Sequence, residues 1–143
     1  MNIKGPVTYL NATSIVTCGI DELSSLGQAA ANAPLRRARI CLHASAESSV
    51  QEMIIAFCSD SYLRPHCHPS KHESFHLLDG DLSVALFDDD GAITQWIHMG
   101  HDSNTNVRLY RLNEPLWHTV VVRSEMAVIH EVTSGPFRGE DCR

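Results

Sequence analysis

The chain reads as a single all-β domain, a double-sheet barrel or jelly roll preceded by a short helical segment. Three observations predict it. From residue 39 onward, β-branched and aromatic residues recur in short runs of five to eight. Turn signals separate them at close, regular spacing, as in Asp79-Gly80-Asp81, Asp88-Asp89-Asp90-Gly91 and Gly100-His101-Asp102-Ser103-Asn104. Only one stretch, near the N-terminus, carries apolar residues at helical spacing, so a βαβ arrangement is excluded.

Taken in order, Val7-Thr8-Tyr9-Leu10 and Ser14-Ile15-Val16-Thr17 are β-branched runs that suit a short strand or an edge arm. Asp21 can cap a helix running to Ala33, with Leu23, Leu26 and Ala30 along one face and Pro34 ending it. Strands are then expected over 39–43, 51–57, 61–68, 73–78, 82–87, 93–98, 106–112, 118–123 and 127–132. Residues 1–34 form an N-terminal arm, 35–137 the barrel, and 138–143 a loose polar tail. No internal repeat or low-complexity linker interrupts this order.

At 143 residues the chain fits one domain with a real core. With 43% hydrophobic and 20% charged residues it has ordinary globular composition. The net charge of −6 and the lack of a basic stripe argue against nucleic acid or an anionic membrane as partner. The one basic cluster, Arg36-Arg37-Ala38-Arg39, suits a solvated edge or a carboxylate clamp. No stretch has the length and apolarity of a membrane span, and Met1-Asn2-Ile3-Lys4-Gly5-Pro6 does not open a signal peptide. Five cysteines without Cys-x-x-Cys spacing read as free thiols, and a cytoplasmic location is expected.

The most informative motif is His66-Cys67-His68, followed by Glu73 and then Gly80. Histidines two apart on a strand share a face, and a carboxylate returned by the next strand can join them. Two imidazoles and a carboxylate are the ligand set of an open transition-metal site. His118, in Trp117-His118-Thr119-Val120-Val121-Val122, is the candidate fourth ligand from another strand. One divalent transition metal per chain is therefore expected, with iron, zinc, nickel and manganese all compatible. The plainer alternative is a polar surface hairpin of solvated side chains, and for His118 a structural barrel histidine.

The spacing of His66, His68, Glu73 and Gly80 resembles the first conserved motif of the cupin superfamily, whose fold is a small double-sheet β-barrel. Asp60 stands where that motif begins with glycine. Of the second cupin motif only His118 is kept, since Asn113 and Pro115 occupy its proline and glycine places. Over most of residues 35–137 the chain is more closely similar to the WbuC-type cupin metalloproteins. The resemblance rests on residues 39–43, Gln51-Glu52-Met53, Ser61-Tyr62-Leu63-Arg64-Pro65-His66, Phe87-Asp88-Asp89-Asp90-Gly91, Trp117-His118-Thr119-Val120 and 131–137. It implies the cupin fold and the same four metal ligands. Because that family is associated with bacterial surface-polysaccharide gene clusters, it also implies a sugar or sugar nucleotide as ligand.

Strand alternation assigns neighbours to the site. With His66 and His68 facing inward, Tyr62 and Arg64 follow them and Cys67 faces away. Glu73 carries Phe75 and Leu77 inward and leaves His72, Ser74 and His76 outside; His118 carries Val120 and Val122. Arg64 is a candidate grip for a carboxylate or phosphate, against a plain salt bridge with a carboxylate such as Asp60. Gln51 is a weaker candidate for ligand binding. With Glu73 committed to the metal, Tyr62 or Glu131 would have to move protons.

Two classes of function follow. One is a metalloenzyme acting on a small polar molecule, by isomerase- or epimerase-like Lewis-acid chemistry or, with iron, by oxygenase-like chemistry. The other is a non-catalytic, metal-dependent binder of a small ligand. A homodimer paired through an edge strand or an exchanged N-terminal arm is expected.

Overall fold

A computed structural model of the chain describes residues 3, 5–10, 13–68 and 72–136. The expected tail, 138–143, lies outside the described residues. Among the described residues, nine strands and one helix follow in the order β1 (Val7–Tyr9), α1 (Ile20–Asn32), β2 (Arg37–Cys41), β3 (Val50–Cys58), β4 (Glu73–Asp79), β5 (Leu82–Phe87), β6 (Ile93–Met99), β7 (Leu109–Leu112), β8 (Trp117–Val122) and β9 (Met126–Ser134). They form a six-stranded sheet ordered β1-β2-β3-β9-β4-β7 and a three-stranded sheet ordered β6-β5-β8. The all-β jelly-roll expectation is thus met.

After β4 the chain crosses repeatedly between the sheets, and these crossings bring residues distant in sequence to one interior. Phe57, Phe75, Leu77, Leu82, Val84, Val120, Val122 and Ile129 fill the space between the sheets. The β4–β5 crossing requires Gly80. Its φ is +82°, and a Cβ there would collide with the Met126 carbonyl and Ser124 Oγ.

The helix packs on the outer face of the larger sheet, where Leu26, Ala29 and Ala30 meet Ala38, Ile40, Ile54, Ala56 and Val128. It begins one residue before Asp21, and its cap is Gly19, whose N–H donates to Glu22 Oε2 at 3.0 Å. β1 joins β2 as a parallel edge strand, so the N-terminal residues extend the larger sheet.

One of the strands expected from residue 39 onward is absent. Residues 61–68 form no ladder, and only His66 makes a bridge, to His118. Pro65 explains this: it has no N–H to donate, and it restricts Arg64 before it. Residues 14–17 likewise form no strand.

Candidate metal centre

The site begins with that single bridge. His66 N–H donates to the His118 carbonyl and His118 N–H to the His66 carbonyl, both at 2.9 Å. A pair that exchanges both bonds presents its side chains on one face. The two imidazoles accordingly lie with ring centroids 4.3 Å apart, and His68 stands 5.1 Å from His66 and 5.9 Å from His118. β4 supplies Glu73 at its first residue, with Phe75 and Leu77 following it into the core. One ligand atom from each of His66, His68, Glu73 and His118 lies within 4.8 Å of all the others.

Backbone carbonyls fix two of the rings. His66 Nδ1 lies 3.0 Å from the Arg64 carbonyl, and His118 Nδ1 2.8 Å from the Leu116 carbonyl. A carbonyl can only accept, so each Nδ1 carries the hydrogen and each Nε2 is left with its lone pair directed into the cluster. Burial holds both imidazoles below their ordinary pKa, which keeps them neutral and able to ligate.

The electrostatics call for a cation. Glu73 Oε2 is 3.2 Å from His118 Nε2 and 3.6 Å from His68 Nε2, yet neither Glu73 Oε2 nor His118 Nε2 has a hydrogen-bond partner. Glu73 is 5% exposed and His118 1%, so water does not solvate them. Orphaned acceptors that converge in a buried space fit a metal ion. Glu131 reinforces the arrangement from β9. Burial and the adjacent Glu73 charge raise its pKa well above the carboxylate range.

Beside the cluster lies a shallow recess lined by His68, Glu73, Leu112, Glu114, Pro115, Leu116 and His118. The other sequence candidates fall around it unevenly. Tyr62 is 78% exposed and Arg64 is exposed, because the parity that would turn them inward needs a strand that does not form. Asp60 pairs with Arg36 at 3.0 Å, so it is not the partner of Arg64. Gln51 is buried on the inner face, where its amide donates to the carbonyls of Ser45, Ala46 and Ser48 and holds that loop. Cys67 is buried, and His76 is exposed on the far side of β4. No disulfide joins the described cysteines.

The sequence reading passed over Tyr110, which is 6% exposed and directly opposite Phe75 across β7 and β4. Its shared parity with Leu112 was the available signal.

Comparison with known proteins places the fold. The family model described as "Domain of unknown function (DUF6016)" matches residues 20–99. No curated protein matches the chain by sequence. Among solved structures, protein SO0799 from Shewanella oneidensis is similar with a TM-score of 0.61 at 9% identity, over 73% of this chain and 71% of that one. The Schizosaccharomyces pombe Cnp3 cupin domain gives 0.54 at 10% identity, over 69% and 61%. Bacillus subtilis oxalate decarboxylase, a protein with Mn(II) centres, gives 0.51 at 15% identity, over 64% of this chain but 23% of its own. The chain thus spans under a quarter of the decarboxylase and shares the cupin fold with it.

Proposed function

The chain belongs to the family described as "Domain of unknown function (DUF6016)", and on that premise, which leaves the chemistry to the site, we propose that it is a divalent-metal-binding cupin acting on a small polar molecule. The observation that carries this reading is the 3.2 Å approach of Glu73 Oε2 to His118 Nε2, two buried atoms that have no hydrogen-bond partner. His66, His68, Glu73 and His118 would hold the ion. Four side-chain ligands leave coordination positions open, and a metal there supplies Lewis acidity or, if iron, redox chemistry. Manganese in the decarboxylase neighbour keeps that element beside iron, zinc and nickel.

The chain's own residues set the conditions. Leu112, Pro115 and Leu116 wall the recess with hydrocarbon and restrict water. Glu131, whose pKa is raised by burial and the Glu73 charge, is the candidate to move a proton; the exposed Tyr62 is the weaker candidate. Arg64, exposed next to His66, is placed to meet an anionic group arriving from solvent. The WbuC-type resemblance supports a sugar or sugar nucleotide of surface-polysaccharide synthesis as the molecule acted on, by isomerase-, epimerase- or oxygenase-like chemistry. A cytoplasmic homodimer is part of the same reading; among the described residues no helix is long and apolar enough to cross a membrane.

The deciding experiment is elemental analysis of untagged protein purified without chelators. About one equivalent of a transition metal per chain supports the reading, and none, even after reconstitution, refutes it. Dioxygen uptake with ferrous iron and candidate sugars then separates oxygenase from isomerase.

A further inference from the structure

The recess beside the cluster is too shallow to hold a molecule, so its lining acts on what passes to the ligands behind it. Three of its residues are the ligand candidates His68, Glu73 and His118, three are hydrocarbon, and the seventh is Glu114. Glu114 is exposed, whereas Glu73 and His118 are buried. It is not a member of the ligand cluster.

The chain holds this carboxylate at the site and leaves it unpaired. β7 ends at Leu112, directly opposite Glu73, and β8 begins one residue before His118. Glu114 lies in the short connection between them. Pro115 disfavours helical backbone at Glu114, and the Leu116 N–H donates to the Glu114 carbonyl at 2.9 Å. The Leu116 carbonyl lies 2.8 Å from His118 Nδ1, so the connection that carries Glu114 is tied to a ligand candidate. Arg111, three residues before Glu114, donates its Nε–H to Asn113 Oδ1 at 2.7 Å instead. Among the described residues the Glu114 carboxylate has no ion-pair partner.

We propose that Glu114 is the capture carboxylate of the metal centre, attracting the hydrated divalent cation at the surface and passing it inward to His68 and Glu73. This rests on the metal-binding reading above and adds the route by which the ion arrives. An exposed carboxylate on a recess that leads to a buried one raises the local concentration of cations, and with it their association rate. Glu73 and His118 do not serve this purpose, since at 5% and 1% exposed they face no ion in solvent. His68, with its side chain 24% exposed, shares the recess with Glu114 and belongs to the cluster, so it links the surface to the buried ligands.

The test mixes metal-free, full-length wild type, Glu114→Gln and Glu125→Gln with cobalt(II) in a stopped-flow instrument. Glu125 is an exposed carboxylate beyond the other end of β8 and controls for net charge. Visible cobalt absorption gives the association rate at low and high salt, and a chelator challenge gives the dissociation rate. Expected is association roughly fivefold slower in Glu114→Gln at low salt, with the difference closing at high salt. Dissociation and the final cobalt content stay as in wild type, and Glu125→Gln matches wild type throughout. Equal association rates at low salt overturn the proposal, as does an equal slowing in both variants. Dissociation about tenfold faster in Glu114→Gln, the effect of one lost ligand, makes Glu114 a ligand and also overturns it. A wild type that takes up no cobalt is a different failure, which removes the metal-binding reading and this one with it.

Discussion

Glu73 Oε2 and His118 Nε2 face each other at 3.2 Å, both buried and neither with a hydrogen-bond partner. The cause lies outside both side chains. The Leu116 carbonyl takes the hydrogen of His118 Nδ1, which fixes the tautomer and leaves Nε2 bare toward the carboxylate. A metal-free protein therefore carries an unfavourable contact that a cation relieves.

Glu73→Gln tests this directly. The amide supplies an N–H for His118 Nε2 and removes a buried charge, so the metal-free variant gains about 1 kcal/mol, a rise in Tm of about 2–4 °C. The same change removes the anionic ligand, and metal content falls at least tenfold. A metal-free variant that melts below the metal-free wild type contradicts the facing-acceptor account.

The His68 side chain is 24% exposed, so it can be removed at small cost to the fold. His68→Ala is expected to lower bound metal at least tenfold while circular dichroism remains native. Cys67→Ala, at the neighbouring position outside the cluster, keeps full metal content. Elemental analysis of the two side by side checks the assignment; full occupancy in both removes it.

Residues 66–80 show how far the sequence could be read. The turn at Gly80 and the inward set Glu73, Phe75 and Leu77 follow from alternation, and the structure buries all three. Alternation misplaced Tyr62 and Arg64, because Pro65 breaks the ladder that parity needs. The convergence on His118 was legible as a residue type in a β-run and through the cupin resemblance, but not as geometry, since the single bridge to His66 is a long-range contact. Tyr110 was passed over because its partners lie on β4, and register between strands far apart in sequence is not written locally.

Gly80→Ala should unfold the protein early without changing its metal preference. At a φ of +82° any Cβ is strained, and here it also meets the Met126 carbonyl. A loss of about 2–3 kcal/mol is expected, lowering Tm by about 5–10 °C. Denaturant unfolding measures it. A change below about 0.5 kcal/mol, the ordinary range for surface sites, would show that the crossing from β4 to β5 relaxes freely.

Ser83 sits on the other face of the same β5 strand whose Leu82, Val84 and Leu86 line the interior, and it is 1% exposed. Its Oγ lies 3.3 Å from Arg123 Nε and 2.7 Å from His98 Nδ1. Arginine can only donate, so the serine accepts from Arg123, while its second hydrogen bond, to His98 Nδ1, takes its direction from the imidazole tautomer. This chain ties Arg123 over the Trp96 ring, 5.5 Å from its centroid. Ser83→Ala breaks the tie while leaving both exposed partners to water, a cost of about 1 kcal/mol or roughly 2–4 °C in Tm. Tryptophan fluorescence should change as Arg123 leaves the ring, and metal content should not, because the cluster faces the interior. Loss of metal in Ser83→Ala would mean that the two faces of β5 are coupled and that the centre depends on the outer layer.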